Sequence, residues 1–410
     1  MFLARLLRSI VHTGSLAIID PAGRRTLVGD GSPPAATLRV TGWASDLAIV
    51  VNPALKLGEA YMNGRLVVED GSIYDALEVI ARNYAELRNN PVLAAVARLG
   101  DGLGRPGPLK RARRQVAHHY DISPRLYDLF LDADRQYSCA YFRTDDADLE
   151  TAQQDKKRHI AAKLRLDRPG LRVLDIGSGW GGLGVYLAET FNANVTGVTL
   201  STEQHRYSQA LAAASPAAAR LDFQLKDYRE VDGPFDRIVS VGMFEHIGKR
   251  NHAPFFAKVG DLLAEDGVAL IHAIGFADTP APINPFMRKY IFPGAELPSL
   301  SEVFSAVERS ELWATDVEIL RLHYAMTLRA WRQRFLANRE QVEALYDARF
   351  LRMWEFYLAL CEVGFRLRTT MVWQLQLTRQ VDTLPIRRDY IVDTERRLLA
   401  AEQGTVKRAM

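Results

Sequence analysis

The sequence predicts an α/β fold, a doubly wound and mostly parallel sheet preceded by a smaller α+β domain. Three observations carry this. From about Asp155 to Gly275, short apolar runs alternate with helical patterns, and such alternation implies strands joined by crossover helices. Within that stretch, Val173-Leu174-Asp175-Ile176-Gly177-Ser178-Gly179-Trp180-Gly181-Gly182 ends a strand in a glycine-rich turn and opens a helix. Residues 1 to about 90 instead show short apolar segments broken by turn signals.

At the N-terminus, Phe2, Leu3, Leu6, Leu7, Ile10 and Val11 stand at near-helical spacing, interrupted by Arg5 and Arg8. Such a basic amphipathic helix either lies on a membrane surface or packs its apolar face on the first domain. The segment lacks the unbroken apolar core and small-residue cleavage site of a secretory signal. Leu38–Val51 and Gly64–Ser72 read as strands, and Ile73–Leu87 as a helix. Leu99–Gln115 opens with glycine and proline and closes with Lys110, Arg111, Arg113 and Arg114. It reads as a linker, so the expected domains are 1–98, a basic linker 99–115, and 116–410. The basic cluster suits anionic headgroups or a plain solvated face equally well.

Beyond the linker, Gln153–Leu166 reads as a helix and Leu171–Gly179 as a buried strand and turn. Gly181–Phe191 and Thr202–Ala214 read as helices around a strand at Ala193–Ser201. Leu221–Tyr228, Asp236–Ile247 and Gly267–Gly275 are further strand candidates. From Asn284 onward the alternation is mostly lost. Aromatic-rich helical stretches such as Ala325–Phe335 and Arg352–Arg368 take over. They serve as core helices or as the wall of an apolar tunnel.

Composition narrows the class. The chain is 48% hydrophobic and 25% charged, as in ordinary globular proteins. A net charge of +3 gives no case for a nucleic-acid partner. Two cysteines, Cys139 and Cys361, suit a reducing compartment and provide no disulfide framework. No apolar run reaches the roughly 18–20 residues of a membrane span. No His, Cys or acid cluster shows metal-ligand spacing; the nearest approach to one is the His118–Asp121 run.

Gly177, Gly179 and Gly182 also satisfy the dinucleotide GxGxxG pattern, which is weak alone. Two features discriminate. Asp175 stands two residues before the first glycine, as in the turn of S-adenosylmethionine methyltransferases. A nicotinamide enzyme would carry an acid for the ribose hydroxyls at the end of the next strand. Here that strand ends in Thr199 and Leu200, with Glu203 and Gln204 already in the helix.

An ordered set of motifs then resembles a known family. Tyr137-Ser138-Cys139-Ala140-Tyr141-Phe142 precedes the LDIGSGWGG turn. VTGVTLSTEQ, DRIVSVGMFEHIG, IHAIG and INPFMRKYIFPGAELPS follow in order. From about Val116 to Cys361 this looks like the cyclopropane fatty acid synthases, mycolic acid members included. The N-terminal segment is similar to the leading domain of the phospholipid-acting bacterial members.

The resemblance implies a Rossmann-like S-adenosylmethionine methyltransferase fold with helical lid and tunnel insertions. It implies a cyclopropane-fatty-acyl-phospholipid synthase, which delivers a methylene to the cis double bond of an unsaturated acyl chain. The enzyme would be cytoplasmic and peripherally associated with the inner face of the membrane; a homodimer is left open. Carried over, Tyr137 and Ser138 contact S-adenosylmethionine from the lid, and Asp175, Gly177 and Gly179 lie beneath it. Thr199, Leu200 and Gln204 lie near the ribose. Asp227 and Tyr228 flank the adenine, where mycolic relatives carry Gly-Trp. Cys139, Glu245, His272, Ile274 and Tyr324 surround a bicarbonate ion.

The chemistry asks for such a site. An alkene is a poor nucleophile and needs a strong electrophile. Methyl transfer leaves a carbocation on the chain, and proton loss from the new methyl closes the ring. The site must hold a base, exclude water and tolerate a cation, for which the Tyr324 ring is suited. A thiolate or carboxylate base risks alkylation, so a bound ion is the expected base, with Cys139 lining it. Plainer readings are a small buried hydrophobe for Cys139, a polar strand end for Glu245-His246 and a core histidine for His272. The rival functions are a methyl-branching fatty acyl methyltransferase, a small-molecule amine methyltransferase of the same fold, and a lipid-binding protein with an inactive fold.

Overall fold

The computed structural model describes residues 1–89, 122–278, 280–367 and 370–409. The basic cluster from Lys110 to Arg114 and the His118–Asp121 run lie outside the described residues. The backbone forms two compact units, each discontinuous in sequence. One gathers Met1–Phe130, Ile283–Gly294 and Leu328–Thr369; the other gathers Leu131–Pro282, Ala295–Thr327 and Thr370–Met410.

In the first unit, β1 (Ser15–Ile19), β2 (Arg25–Gly29), β3 (Ala35–Val40) and β4 (Leu66–Asp70) form a sheet in the order β2-β1-β3-β4. The N-terminal stripe is used within this unit. Helix Phe2–Arg8 buries Leu3, Ala4 and Leu7, followed by Ile10 and Val11. Helix Ala348–Arg366 packs on helices Pro53–Met62 and Ile73–Arg82, so an aromatic helix expected in the catalytic half completes this core.

One reading is corrected here. Leu38–Val51 is not one strand: β3 stops at Val40 and Trp43–Val51 is a helix. The apolar run Leu47–Val51 fits either element by pattern, and Asp46 decides. Its carboxylate is fully buried and accepts the backbone N–H groups of Phe2 (2.8 Å) and Leu3 (2.9 Å). It thereby satisfies two donors that helix Phe2–Arg8 cannot satisfy itself.

The second unit holds β5 (Arg172–Ile176), β6 (Asn194–Thr199), β7 (Leu221–Leu225), β8 (Phe235–Val241), β9 (Leu263–Phe276), β10 (Trp313–Ile319) and β11 (Thr370–Thr378). Their order is β10-β11-β9-β8-β5-β6-β7. Strands β5 to β9 run parallel, and β11 is antiparallel to both neighbours. Apolar clusters cover both faces. One contains Phe244, Phe255, Phe256 and Trp373; the other contains Ile160, Leu164, Leu187 and Leu270. Strand order reverses at β5, so the crevice at its carboxyl end is where an α/β sheet binds ligand. Strands β10 and β11 fall after Asn284, where helical stretches were expected to take over, and are a second correction. Among the described residues no helix is long and apolar enough to cross a membrane.

Helix Leu149–Lys163 positions much of this unit. Asp155, Lys156, Lys157, Arg158, His159 and Lys163 are all buried. Asp155 meets Arg143 (2.7 Å) and Arg158; Arg158 also meets Glu402. His159 lies between Glu318 (2.8 Å) and Glu395 (2.5 Å) and stacks on Tyr141. To serve two carboxylates the imidazole must donate from both nitrogens. Burial opposes that charge, but the bonds to Glu318 and Glu395 outweigh it and the pKa is raised. The stabilisation is therefore complete below pH 6.5, the ordinary histidine value, and is lost as pH rises through the elevated folded value. Removing one partner of a buried ion pair costs about 3–5 kcal/mol. His159→Ala should thus lower stability by roughly that much at pH 6 and by clearly less at pH 9, as read from urea unfolding of both proteins.

Candidate active site

The turn after β5 is held open by glycine. Gly177 (φ +81°), Gly179 (φ +55°) and Gly181 (φ +91°) adopt left-handed conformations that favour a residue without a side chain. The Gly177 and Ser178 N–H groups both donate to the Val198 carbonyl (2.9 and 3.0 Å), pinning the turn to β6. A Cβ on Gly179 would meet nothing within 4 Å, so the backbone there faces open space. Beneath it Asp175 is buried, and its Oδ2 has no hydrogen-bond partner. Burial pushes this carboxyl up to about 7, against the pull of the Lys156 charge.

At the end of β6, the Thr199 hydroxyl donates to Gln204 Oε1 (3.0 Å), and both residues are buried. Leu200 stands apart, 52% exposed. The Lys226 N–H donates to the Thr199 carbonyl (3.1 Å), which brings Asp227 and Tyr228 to the same edge. Asp227 is paired with Arg229 at 2.6 Å. The Tyr228 ring meets Phe255 edge-on, and burial raises its phenol to about 12.

The segment around Tyr137 is a strap fastened from below. Gln153 Nε2 donates to the carbonyls of Gln136 (3.2 Å) and Ser138 (3.0 Å). Lys156 Nζ donates to Gln136 Oε1 (2.6 Å) and Ser138 Oγ (2.8 Å). The Arg135 guanidinium lies over the rings of Tyr207 (4.3 Å) and Trp180 (5.1 Å). The first turns of helix His323–Ala337 hold the strap's other end. Thr327 Oγ1 accepts from the Ala140 N–H (3.0 Å), and His323 Nδ1 from that of Phe142 (2.9 Å). Tyr324, itself buried, thus sits on the helix that anchors the strap carrying Cys139. Tyr137 is half-buried. Cys139 is fully buried, its Sγ donating to the Ala140 carbonyl (3.3 Å), and burial drives the thiol pKa well up.

The ends of β8 and β9 bring the remaining candidates together. Val241 and His272 are register partners. Glu245 follows in the turn Phe244–His246, and its Oε1 accepts the Ile274 N–H at 2.6 Å. Its Oε2 is buried without a partner, and burial pushes the carboxyl up to about 7. His272, two residues before Ile274 on β9, points to the same sheet face as Ile274. Burial holds it down to about 3, so the ring is neutral. Gln374 Nε2 lies 3.2 Å from its Nδ1. With Gln374 donating, the imidazole proton sits on Nε2. Burial likewise keeps His246 down to about 4. Glu245, His272 and Ile274 form one group and Cys139 and Tyr324 another; the Lys156 charge acts on Cys139, Asp175 and His272 alike.

Sequence reading missed Lys156, Gln153, Gln136, Arg135 and Gln374. The run Gln153–His159 looks like a solvated helical face, and no periodicity marks a helix whose charges are buried around its circumference. Gln374 lay in an unrecognised strand.

The sequence and the fold both resemble those of known proteins. The family model described as mycolic acid cyclopropane synthetase matches residues 108–375. The cyclopropane-fatty-acyl-phospholipid synthase of Escherichia coli (strain K12) is 37% identical over 357 residues, covering 86% of this chain and 90% of that protein. Cyclopropane mycolic acid synthase 1 of Mycobacterium tuberculosis (strain ATCC 25618 / H37Rv) is 36% identical over 275 residues, 64% of this chain and 96% of that one. Among solved structures, mycolic acid cyclopropane synthase CmaA1 complexed with SAH and CTAB superposes with a TM-score of 0.62 at 35% identity. That match covers 66% of this chain and 99% of the other.

The geometry makes a direct statement about Cys139. A thiol this buried, with its pKa raised, presents almost no thiolate at neutral pH. Iodoacetamide at pH 7.5 should leave Cys139 unmodified in the folded protein and alkylate it fully after denaturation, as read by peptide mass spectrometry. Rapid native labelling would restore a nucleophilic role.

Proposed function

The chain belongs to the mycolic acid cyclopropane synthetase family, and from that premise we propose that it builds cyclopropane rings on the cis double bonds of unsaturated phospholipid acyl chains. The methyl donor is S-adenosylmethionine, and bicarbonate is the base. One observation carries this reading. An open glycine turn and a buried carboxyl with a vacant hydrogen-bonding oxygen lie at the carboxyl ends of the same parallel strands.

The residues fit both small molecules. Gly179 leaves room for close approach, while Asp175 Oδ2 and Ser178 Oγ are buried polar atoms without protein partners. Bound there, the sulfonium cofactor supplies the electrophilic methyl that a weakly nucleophilic alkene requires. The chain's own residues do the rest. Thr199 and Gln204 hold the ribose side, with Leu200 at its exposed rim. Asp227 and Tyr228 flank the adenine, Tyr137 and Ser138 close over the top, and Gly177 and Gly179 lie beneath.

Glu245 and His272 from the one group, with Cys139 and Tyr324 from the other, would hold bicarbonate, which would supply the basic oxygen for the proton lost at ring closure. Ile274 acts through its N–H, which aims Glu245. A carboxyl near 7 is in good part protonated at neutral pH. Glu245 then offers an O–H, and the neutral His272 an N–H. Two neutral donors accept an anion without the repulsion that an ionised carboxylate would exert. Apolar surroundings exclude water that would trap the carbocation, and the Tyr324 ring face stabilises it.

Residues 1–98 serve as the lipid-interacting domain, and the catalytic domain, 116–410, carries the acyl chain in an apolar tunnel. The N-terminal unit exposes Phe2, Trp43, Leu47 and Val51 beside a helix bearing Arg5 and Arg8. Exposed aromatic and basic residues suit the inner membrane face, which supports a cytoplasmic enzyme that docks peripherally.

The purified chain, given S-adenosylmethionine and vesicles of unsaturated phospholipid, should add one CH2 to each modified acyl chain with no reductant present, as read by lipid mass spectrometry. A saturated methyl branch that appears only with a reductant would place the chain among methyl-branching enzymes instead. No lipid product at all would overturn the reading. For the base, turnover should fall in carbonate-depleted buffer and recover with added bicarbonate. Glu245→Gln should lower turnover by about a hundredfold, the lower range for a positioned base, while cofactor affinity stays near that of the native chain. Cys139→Ser should keep substantial activity. A dead serine variant together with indifference to bicarbonate would favour a thiolate.

A further inference from the structure

Lys156 has no part in the mechanism above, yet it is a fully enclosed cation beside it. It is 1% exposed. Its ammonium donates to Gln136 Oε1 and Ser138 Oγ. Gln136 is fixed at its other end, its Nε2 donating to Asp134 Oδ2 (3.0 Å), which also pairs with Lys157 (2.8 Å). The amide therefore has one orientation only. Gln153 locks the backbone of the same strap through the Gln136 and Ser138 carbonyls.

The consequence falls on Ser138. A hydroxyl has one proton to give and lone pairs to accept with. Lys156 donates to the oxygen, so the serine proton must point elsewhere. An ammonium on the oxygen also polarises the O–H and makes it a stronger donor. S-adenosylmethionine carries one anionic group, its amino-acid carboxylate.

We propose that Lys156 is a positioning residue for the cofactor: bound to the Ser138 oxygen, it directs the serine O–H toward the cofactor carboxylate. This rests on the reading that the chain binds S-adenosylmethionine.

The ammonium is surrounded by titratable neighbours. Asp132 and Asp134 on the strap favour its charge, as does Cys139, while Lys157 opposes it. Its own charge acts in turn on Asp175 of β5 and His272 of β9. Burial outweighs the favourable neighbours and lowers its pKa to about 8. Above that pH the oriented Ser138 donor loses its partner, so cofactor affinity has an alkaline limit set within the protein.

The test is calorimetric titration of the full chain with S-adenosylmethionine alone. Lys156→Met is close in volume and should weaken binding by about tenfold or more, the scale of a hydrogen bond to a charged group. Ser138→Ala should weaken it similarly, and the double variant no further, because groups acting as a unit are not additive. Between pH 7 and pH 9 the native chain should lose about tenfold more affinity than Ser138→Ala, by linkage to a group titrating near 8. The cofactor's own amine titrates equally in both proteins, so the comparison removes it. A folded Lys156→Met chain with native affinity would overturn the proposal, and so would losses that multiply in the double variant. If Lys156→Met does not fold, the pH comparison decides by itself: identical profiles for the native chain and Ser138→Ala would overturn it. A native chain that fails to bind S-adenosylmethionine at any pH would overturn the parent reading as well, an outcome distinct from native binding that ignores Lys156.

Discussion

The second unit depends on one constraint, that every charge buried on helix Leu149–Lys163 must find a partner. A buried ion without one is costly enough to forbid the arrangement. Six ionisable residues of this helix are buried, and their partners come from across the unit. The strap contributes Asp134, Gln136, Ser138 and Arg143; β10 contributes Asp316 and Glu318; the C-terminal helix, Asp389–Ala409, contributes Glu395 and Glu402. Strand β10 and the C-terminal helix are thus tied to the element beneath the strap. The strap's path over the glycine turn follows from the same pairings.

At the ends of β5, β8 and β9 burial leaves the titratable groups of the sheet nearly neutral. Asp175 and Glu245 are pushed toward neutrality by burial, and His272 is held uncharged. In a dry site each remaining charge acts over a longer reach than in water. A single ammonium, Lys156, can therefore be felt by the strap cysteine, the β5 carboxyl and the β9 histidine at once. Such a site suits a reaction in which a cation crosses from sulfur to carbon, since fixed ionised carboxylates would be competing nucleophiles.

The two misread stretches fail for opposite reasons. Leu38–Val51 has β-branched residues suited to a strand, and the break at Thr41-Gly42 is slight in sequence. Only the need of helix Phe2–Arg8 for an acceptor explains why Asp46 turns inward. Strand β11 does show alternation, with Gln374, Gln376 and Thr378 between apolar residues. Its polar side is buried, however. Gln376 reaches the Lys163 carbonyl (2.6 Å) and Tyr390 (2.7 Å), and Gln374 reaches His272. Polar residues that would mark a solvent face are here satisfied inside, so the pattern resembled neither an edge strand nor a core strand.

The sequence by itself determined the strand-turn-helix at Asp175–Gly182, the succession of parallel strands and the family. These rest on local backbone demands: glycine where φ is positive, apolar runs where both faces are covered. Glu245 at the mouth of the sheet was also legible, because the ends of parallel strands converge in any doubly wound sheet. Tertiary structure alone decided which charges are buried and what they touch. It made Ile274 a partner of the Glu245 carboxylate, left Leu200 at an exposed rim, placed an aromatic helix from late in the chain in the N-terminal unit, and put Lys156 under the strap. Burial is a property of what packs against a residue from distant parts of the chain, and charge in a low-dielectric interior is governed by those neighbours and not by adjacent residues.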